Sequence, residues 1–341
     1  MTASSGAGDR TPNRRPSARI GIALGDVTGI GPEITLKALR TLVAGPGPEF
    51  LILGDRAWLR RANEPIGLPL ADRGQGGRVE IWQPQAESLP TGLSSGAPEA
   101  ARAAVEWLRH GAQGCLDGEL AALVTAPVSK LAIIRAGIPF VGQTELLARI
   151  AQTERAGMML LAPDERDRWL RVMLVTTHLP LRDVPDAITA ERVRLACELG
   201  HRACVELGLA RARLGVAGLN PHAGEGGALG REEIDTIGPA LESARSSGLD
   251  VVGPIPADTL FHQALRGDFD VVVAMYHDQG LGPLKMIGFE RGVNWTVGLP
   301  FVRTSPDHGT AYDLAGRNQA DPSSMLAALR LAIRLSKPCP S

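Results

Sequence analysis

The feature that most constrains the fold is the apolar run from Val271 to Tyr276, which stops abruptly at His277 and Asp278. Its length and valine content are typical of a buried strand. Glycine, proline and charged residues follow, and we expect them to form a loop. Ligands of open α/β sheets bind beyond the carboxyl ends of the strands. The segment 271–316 is therefore predicted to carry the active site.

Similar apolar runs alternate with helix-like stretches along the rest of the chain. Predicted strands span residues 20–24, 50–53, 79–82, 121–125, 172–176, 215–219 and 270–276. Predicted helices span residues 33–42, 98–110, 142–150, 190–207, 231–246, 256–265 and 321–335. This alternation predicts an α/β fold with a mostly parallel sheet. A chain of 341 residues is long enough for two domains.

Composition excludes several classes of protein. The net charge of −1 argues against a nucleic-acid binder, which usually carries a basic excess. No stretch approaches the roughly 18 apolar residues of a membrane span, so no membrane partner is expected. The four cysteines (Cys115, Cys197, Cys204 and Cys339) form no Cys-x-x-Cys pair, which predicts neither a disulfide framework nor a thiolate zinc site. A cytoplasmic location fits, and the small, polar residues 1–17 are predicted to be a disordered tail.

Three histidines occupy the same position relative to predicted strands. His178, His222 and His277 each follow a short apolar run by no more than about two residues. Parallel strands present their carboxyl ends at one edge of a sheet, so these imidazoles can converge on a divalent metal. Taken singly, each is more often an ordinary hydrogen-bonded histidine, as we expect for His110, His201 and His262 in predicted helices. Three in one structural position favour the metal site.

A second set of residues suggests an anion pocket. Lys285, Asn294 and Arg303 follow His277 in a glycine-rich segment, and we expect them on loops. Lysine and arginine there are suited to phosphate or carboxylate. Gln143 and Thr144 begin a predicted helix after Gly142 and can add donors. The alternative is a set of solvated surface charges, which we favour for Arg291.

Neither a dinucleotide-binding glycine fingerprint nor a Gly-Lys-Ser/Thr phosphate loop is present. Spacing alone therefore does not predict a nicotinamide cofactor.

Several longer motifs together resemble one family. They include GDVTGIGPEI (25–34), GLNPHAGEGGALGREEIDTI (218–237), AMYHDQGLGPLK (274–285) and GVNWTVGLPFVRTSPDHGTAYDLAGR (292–317). The chain resembles the 4-hydroxythreonine-4-phosphate dehydrogenases of vitamin B6 biosynthesis. The resemblance implies an NAD(P)-dependent enzyme with one divalent metal (Zn, Mg or Co) per active site. It also implies a homodimer with the active site at the interface.

The resemblance also assigns residues and a reaction. It places the metal ligands at His178, His222 and His277, and the substrate contacts at Gln143, Thr144, Lys285, Asn294 and Arg303. Lys285 is also the candidate catalytic residue, although pure anion binding is an equal alternative. The implied reaction oxidises 4-phosphooxy-L-threonine to 2-amino-3-oxo-4-phosphooxybutanoate, which decarboxylates to 3-amino-2-oxopropyl phosphate.

The block DHGTAYDLAGRNQADP (307–322) looks like the cofactor loop of isocitrate and isopropylmalate dehydrogenases. By that analogy, His308, Gly309, Thr310 and Asp313 bind the cofactor. The same likeness implies two α/β/α domains with a cleft between them. The expected division is residues 18–135 plus 300–337 on the cofactor side, and residues 136–299 for the metal and the dimer interface.

One position departs from the family, because Gln143 stands where a histidine is usual. This keeps open a related substrate, such as 4-phospho-D-threonate or 4-phospho-D-erythronate. A more distant relative acts on a terephthalate-derived cis-dihydrodiol, but Lys285, Asn294 and Arg303 favour a phosphorylated compound. The alternative of another class is a metal-binding homologue that has lost catalysis.

Overall fold

The predicted strands assemble into one sheet in the computed structural model, which describes residues 19–336. In this part of the chain twelve strands form the sheet: β1 (Arg19–Ala23), β2 (Glu49–Leu53), β3 (Ala71–Asp72), β4 (Val79–Trp82), β5 (Ala122–Thr125), β6 (Gly157–Pro163), β7 (Trp169–Leu174), β8 (Leu214–Ala217), β9 (Val251–Ile255), β10 (Val271–Ala274), β11 (Val293–Val297) and β12 (Val302–Pro306). The expected tail at residues 1–17 lies outside the described residues.

Eleven α-helices connect these strands within residues 19–336: α1 (Gly31–Val43), α2 (Arg56–Asn63), α3 (Pro98–Leu116), α4 (Lys130–Arg135), α5 (Gln143–Ile150), α6 (Val184–Ala187), α7 (Ala190–Glu206), α8 (Gly238–Ser246), α9 (Ala257–Arg266), α10 (His277–Gly288) and α11 (Ser323–Leu335). None of these helices has the length and apolar content to cross a bilayer.

The strand order is β3-β4-β2-β1-β5-β12-β11-β6-β7-β10-β8-β9. In this order, the first six strands (β3, β4, β2, β1, β5 and β12) are parallel to one another. The last four strands (β7, β10, β8 and β9) are also parallel to one another. Antiparallel pairings of β11 with β12 and β6, and of β6 with β7, join the two parallel blocks. The expected α/β fold with a mostly parallel sheet is confirmed.

Strand β10 shows why helices cover both faces of the second block. Val271 and Val273 pack into a core cluster with α7 and α8, whereas Val272 and Ala274 pack on the opposite face with α9 and α10. Side chains alternate between the faces of a strand, so a strand that is apolar throughout must be buried on both. This produces the α/β/α layering.

A separate core cluster surrounds the first block. It joins β1, β2 and β5 with α1, α3 and α11, and it includes Leu146 and Leu147 of α5. Three clusters thus divide the apolar interior between the two parallel blocks. The domain boundaries at 135/136 and 299/300 stay a prediction.

The sheet order determines where the strand-end histidines lie. Strand β10 is between β7 and β8 and is parallel to both, with Val272 opposite Val172 on one side and Gly215 on the other. The carboxyl ends of these three strands, which precede His277, His178 and His222, are therefore neighbours at one edge of the sheet.

The predicted loop after His277 is wrong, because residues 277–288 form helix α10. One of the glycines that suggested a loop, Gly280, has a packing reason. A Cβ on Gly280 would lie 2.8 Å from Val172 and 2.9 Å from Leu174, so the helix can approach the sheet only with glycine there. Consequently Lys285 lies on a helix, and Asn294 and Arg303 lie on strands rather than on loops.

Strand β11 joins the two blocks, and its Trp295 is only 1% exposed. We expect Trp295→Ala to lower the free energy of unfolding by about 3–5 kcal/mol, because a large buried side chain leaves a cavity. Urea denaturation monitored by circular dichroism measures this loss. Trp169→Ala on β7 is the control: its side chain is 41% exposed, and we expect a loss below about 1 kcal/mol. Equal losses in the two variants would contradict the packing described here.

Candidate active site

A cavity of about 560 Å³ lies against β5, α5, β11, β12 and α10. Eight of the residues singled out from the sequence line it: Gln143, Thr144, His178, Lys285, Asn294, Arg303, His308 and Gly309. They come from segments as far apart as residues 143 and 309, so the fold alone brings them together. His222, His277, Thr310 and Asp313 are not among its lining residues.

Arg303 is the most buried charge in the cavity wall, with 2% of its surface exposed. Its Nη1 donates to Thr296 Oγ1 (3.0 Å), and its Nη2 donates to Thr125 Oγ1 (2.7 Å) and to Gln143 Oε1 (3.0 Å). Burial lowers the pKa of Arg303 to about 10, and the charge of Glu145 opposes that shift. The guanidinium is therefore still charged at neutral pH and has only neutral oxygens as hydrogen-bond partners.

Three buried polar atoms of lining residues have no hydrogen-bond partner among the described residues. They are Arg303 Nε, Asn294 Oδ1 and His308 Nε2. Buried polar groups in folded proteins are nearly always hydrogen-bonded, so such atoms mark a place for a ligand. Thr144 Oγ1 lies 3.4 Å from Thr296 Oγ1 and adds a hydroxyl nearby. A cationic wall with free donors and acceptors can bind an anionic, polar ligand.

Lys285 stands on α10, with its Nζ 3.6 Å from Asp307 Oδ2 and 5.6 Å from the ring centroid of Phe289. Burial raises the pKa of the Asp307 carboxyl, and Lys285 opposes that shift. Asp307 was not among the residues singled out as site residues from the sequence. Its position next to His308, in a block already assigned to the cofactor, was the available signal.

Side-chain hydrogen bonds join the three strand ends that carry the histidines. Thr176 Oγ1, beyond β7, donates to the Met275 carbonyl beyond β10 (2.7 Å). Gln279 Oε1 accepts from the Met275 amide (2.7 Å), and its Nε2 donates to the Gly218 carbonyl beyond β8 (2.7 Å). One threonine and one glutamine therefore fix the ends of β7, β10 and β8 relative to one another.

His178 and His277 are neighbours, with ring centroids 5.4 Å apart. Burial is the main cause of the lowered pKa of His178, and His277 adds to it. A neutral imidazole is the form that binds metals. His277 Nδ1 lies 2.7 Å from Asp278 Oδ1, which leaves its Nε2 available. This pair suits two of the ligands of a divalent cation.

His222 lies in an unusual turn after β8. Residues 222–226 all have positive φ, including His222 (53°), Ala223 (52°) and Glu225 (46°). Each such non-glycine residue costs about 1–2 kcal/mol, so the rest of the loop must hold it. The buried Glu233 does this: its Oε1 accepts from the amides of Leu219 (2.8 Å) and Asn220 (2.7 Å). Within residues 19–336 no three His, Cys, Asp or Glu side chains are close enough together to hold a metal ion. His178, His222 and His277 therefore do not form a complete metal site within one chain.

The proposed cofactor segment packs against the turn between β1 and α1. The Thr310 carbonyl accepts from the Ile30 amide (2.9 Å), and a Cβ on Gly29 would lie 2.6 Å from that oxygen. Tyr312 donates to Asp26 Oδ2 (2.6 Å). A second cavity of about 320 Å³ adjoins this contact and is lined by residues that include Thr28, Gly29, Trp58, Arg61, Ala315 and Asn318. Asp313 is exposed and lines neither cavity.

Comparison with known proteins identifies relatives that match nearly the whole chain. The 4-hydroxythreonine-4-phosphate dehydrogenase of Stutzerimonas stutzeri is 45% identical over 336 residues, which cover 95% of this chain and 99% of the relative. The D-threonate 4-phosphate dehydrogenase of Cupriavidus necator is 44% identical over 329 residues, which cover 93% of this chain and 97% of the relative.

Solved structures agree as well. The crystal structure of 4-hydroxythreonine-4-phosphate dehydrogenase from Klebsiella pneumoniae has a TM-score of 0.81 at 37% identity, covering 94% of this chain and all of that one. A β-decarboxylating dehydrogenase from Thermococcus kodakarensis, 14% identical over 92% of this chain and 82% of its own, has a TM-score of 0.52. That likeness confirms the expected relation of the folds. Residues 48–332 match the family described as pyridoxal phosphate biosynthetic protein PdxA. The chain therefore belongs to the PdxA family of dehydrogenases.

Proposed function

We propose that this chain oxidises 4-phosphooxy-L-threonine at its 3-hydroxyl with NAD(P), giving 2-amino-3-oxo-4-phosphooxybutanoate, which decarboxylates to 3-amino-2-oxopropyl phosphate. The observation that carries the proposal is a buried, charged Arg303 in the same cavity as His178, whose ring neighbours that of His277. An anion site beside candidate metal ligands fits a substrate with a phosphate at one end and a reacting alcohol further along.

The second candidate is a related phosphorylated hydroxy acid, such as 4-phospho-D-threonate or 4-phospho-D-erythronate. Two observations favour keeping it. The relative named for D-threonate 4-phosphate is 44% identical, against 45% for the one named for 4-hydroxythreonine 4-phosphate. In addition, Gln143 stands in the anion site, where the family usually has histidine.

The substrate phosphate is assigned to the end of the cavity formed by Arg303, Thr144 and Asn294. The free Arg303 Nε is a charged donor, and the Thr144 hydroxyl adds a neutral one. Lys285 lies on the other side, towards Asp307. We assign it to the reacting end, where its ammonium can donate a hydrogen bond to a carboxylate or to the new carbonyl oxygen.

The metal is assigned to His178, His222 and His277. Two of these rings lie together in one chain. We assign the third ligand to a homodimer interface, which the family resemblance implies. Imidazole ligands favour Zn²⁺ or Co²⁺ over Mg²⁺, which prefers oxygen. A divalent cation there supplies Lewis acidity at the substrate oxygen, which lowers the pKa of the hydroxyl and stabilises charge on the ketone.

The cofactor is assigned to His308, Gly309, Thr310 and Asp313. Thr310 packs on the β1–α1 turn, and Ala315, Gly316 and Asn318 of the same segment line the adjoining cavity of about 320 Å³. These contacts support the segment as one wall of the cofactor site. NAD or NADP supplies the acceptor for the hydride from the substrate carbon.

The cavity of about 560 Å³ lies between the two parallel blocks, which supports the division into domains 18–135 plus 300–337 and 136–299. Cys115, Cys197 and Cys204 are free thiols, which supports a cytoplasmic location.

The direct test is a spectrophotometric assay at the NADH wavelength with both phosphorylated candidates, with and without a metal chelator. We expect turnover of 4-phosphooxy-L-threonine that is lost on chelation and restored by Zn²⁺ or Co²⁺. Faster turnover of a D-configured phosphorylated hydroxy acid would select the second candidate. No turnover of any phosphorylated hydroxy acid would favour a homologue that has lost catalysis.

The histidine assignment has its own test. We expect His178→Ala, His222→Ala and His277→Ala each to lose at least about tenfold in metal affinity. Metal content of the purified protein measures this directly. His262→Ala is the control, because His262 is exposed on α9. Full metal content in His222→Ala would show that this residue is not a ligand. Sedimentation of the protein with and without metal would show whether metal binding accompanies dimer formation.

Arg303→Met tests the anion end. Hydrogen bonds to a charged group contribute about 1.5–3 kcal/mol, so we expect KM for the phosphorylated substrate to rise about 10- to 100-fold. Arg291→Met is the matched control: that arginine pairs with the exposed Asp167 (2.9 Å), and we expect KM within about twofold of the original. An unchanged KM in Arg303→Met, with the fold intact by circular dichroism, would place the phosphate elsewhere.

A further inference from the structure

Asp307 and Glu145 are the two carboxylates that line the cavity around the buried cation of Arg303, and Asp307 is the one beside Lys285. Its side chain is 15% exposed and lines the same wall as Arg303 and His308. A carboxylate there repels a phosphorylated acid at any pH at which both are ionised. Unless it has a task of its own, such a group only weakens substrate binding.

The backbone holds Asp307 firmly. Its amide donates to Ser324 Oγ (3.0 Å), and that hydroxyl donates to the Gly292 carbonyl (2.6 Å). A Cβ on Gly292 would lie 3.3 Å from the Asp307 side chain, so the loop before β11 packs closely against it. The backbone of Asp307 is thus fixed between the end of β12, the start of α11 and the loop before β11, and its short side chain limits where the carboxylate can lie.

Lys285, in contrast, has a long and flexible side chain that is 38% exposed. Among the described residues, Asp307 is the one carboxylate that pairs with it, at 3.6 Å, and the ring of Phe289, just after α10, lies 5.6 Å away. A short carboxylate on a fixed backbone restricts where the flexible ammonium beside it can be. Asp307 therefore determines the position of the Lys285 ammonium, rather than the reverse.

We propose that Asp307 is a positioning residue that holds the Lys285 ammonium at the reacting end of the cavity. The inference rests on the proposed function, in which Lys285 contacts that end of the substrate. Loss of the carboxylate frees the ammonium to move by an ångström or more, which slows the reaction. It also removes a repulsive charge, so substrate binding does not weaken.

The kinetic test compares Asp307→Asn, Asp307→Glu and Lys285→Met with the double variant. We expect Asp307→Asn to lower kcat about 10- to 100-fold, with KM unchanged or lower, because a misplacement of about 1 Å costs up to that much. Asp307→Glu should recover part of the loss. The double variant should be no slower than Lys285→Met alone, since Asp307 acts through the lysine. A raised KM at unchanged kcat, or additive losses in the double variant, would overturn the proposal.

A second measurement does not depend on turnover. Acetylation of Lys285 by acetic anhydride, followed by mass spectrometry of peptides, reports how far the ion pair with Asp307 protects its amine. We expect at least a severalfold faster reaction in Asp307→Asn, whereas Lys130, which lines the same cavity without this partner, reacts at its original rate. An unchanged rate at Lys285 would refute the positioning role even if the wild-type protein proves inactive on phosphorylated hydroxy acids. Failure of the proposed function alone would leave the change in rate intact.

Discussion

The buried guanidinium of Arg303 is the interaction on which the site depends. It contacts Thr125 at the end of β5, Thr296 on β11 and Gln143 at the start of α5, and so ties together elements from three parts of the chain. Moving a cation out of water costs several kcal/mol, and neutral oxygens offset only part of that cost. Under the proposed function, the substrate phosphate supplies the rest, and the donors of the cavity are arranged before it arrives.

A few side-chain hydrogen bonds also fix the loops at the edge of the second block. Because β10 lies between β7 and β8, two side chains suffice to align three loops: Thr176 joins β7 to β10, and Gln279 joins β10 to β8. Both contacts are made to backbone groups at strand ends, where the ladder hydrogen bonds stop. These hydrogen bonds hold the histidine loops in place relative to the sheet. The strained turn at His222 depends in addition on hydrogen bonds to the buried Glu233.

The sequence predicted much of the parallel sheet from local signals, although it missed the apolar strands β6 and β9. Apolar runs such as the one at β10 identified buried strands, and the position of His178, His222 and His277 after such runs needed only the rule that parallel strands end at one edge. Strands β11 and β12 were not predicted, since Asn294, Thr296 and Arg303 interrupt their apolar pattern. Those polar residues are the ones that line or support the cavity, so function obscures the periodicity there. The pairing of Lys285 with Asp307, and the lack of a complete three-ligand metal group within residues 19–336, depend on contacts across the fold that no spacing encodes.

Gln143 supports the anion site through Arg303. A guanidinium can only donate, so the amide oxygen of Gln143 must face Arg303, and one Nε2 hydrogen then donates to the Ala126 carbonyl (3.3 Å). The second Nε2 hydrogen can still donate to a ligand in the cavity that Gln143 lines. We infer that this residue acts on a bound phosphate by orienting Arg303, whose Nε remains free. The phosphate is common to the L-threonine and D-threonate compounds, so glutamine at this position keeps both open without choosing between them. Under the proposed function, the choice is made at the other end of the cavity, where Lys285 lies beside Asp307.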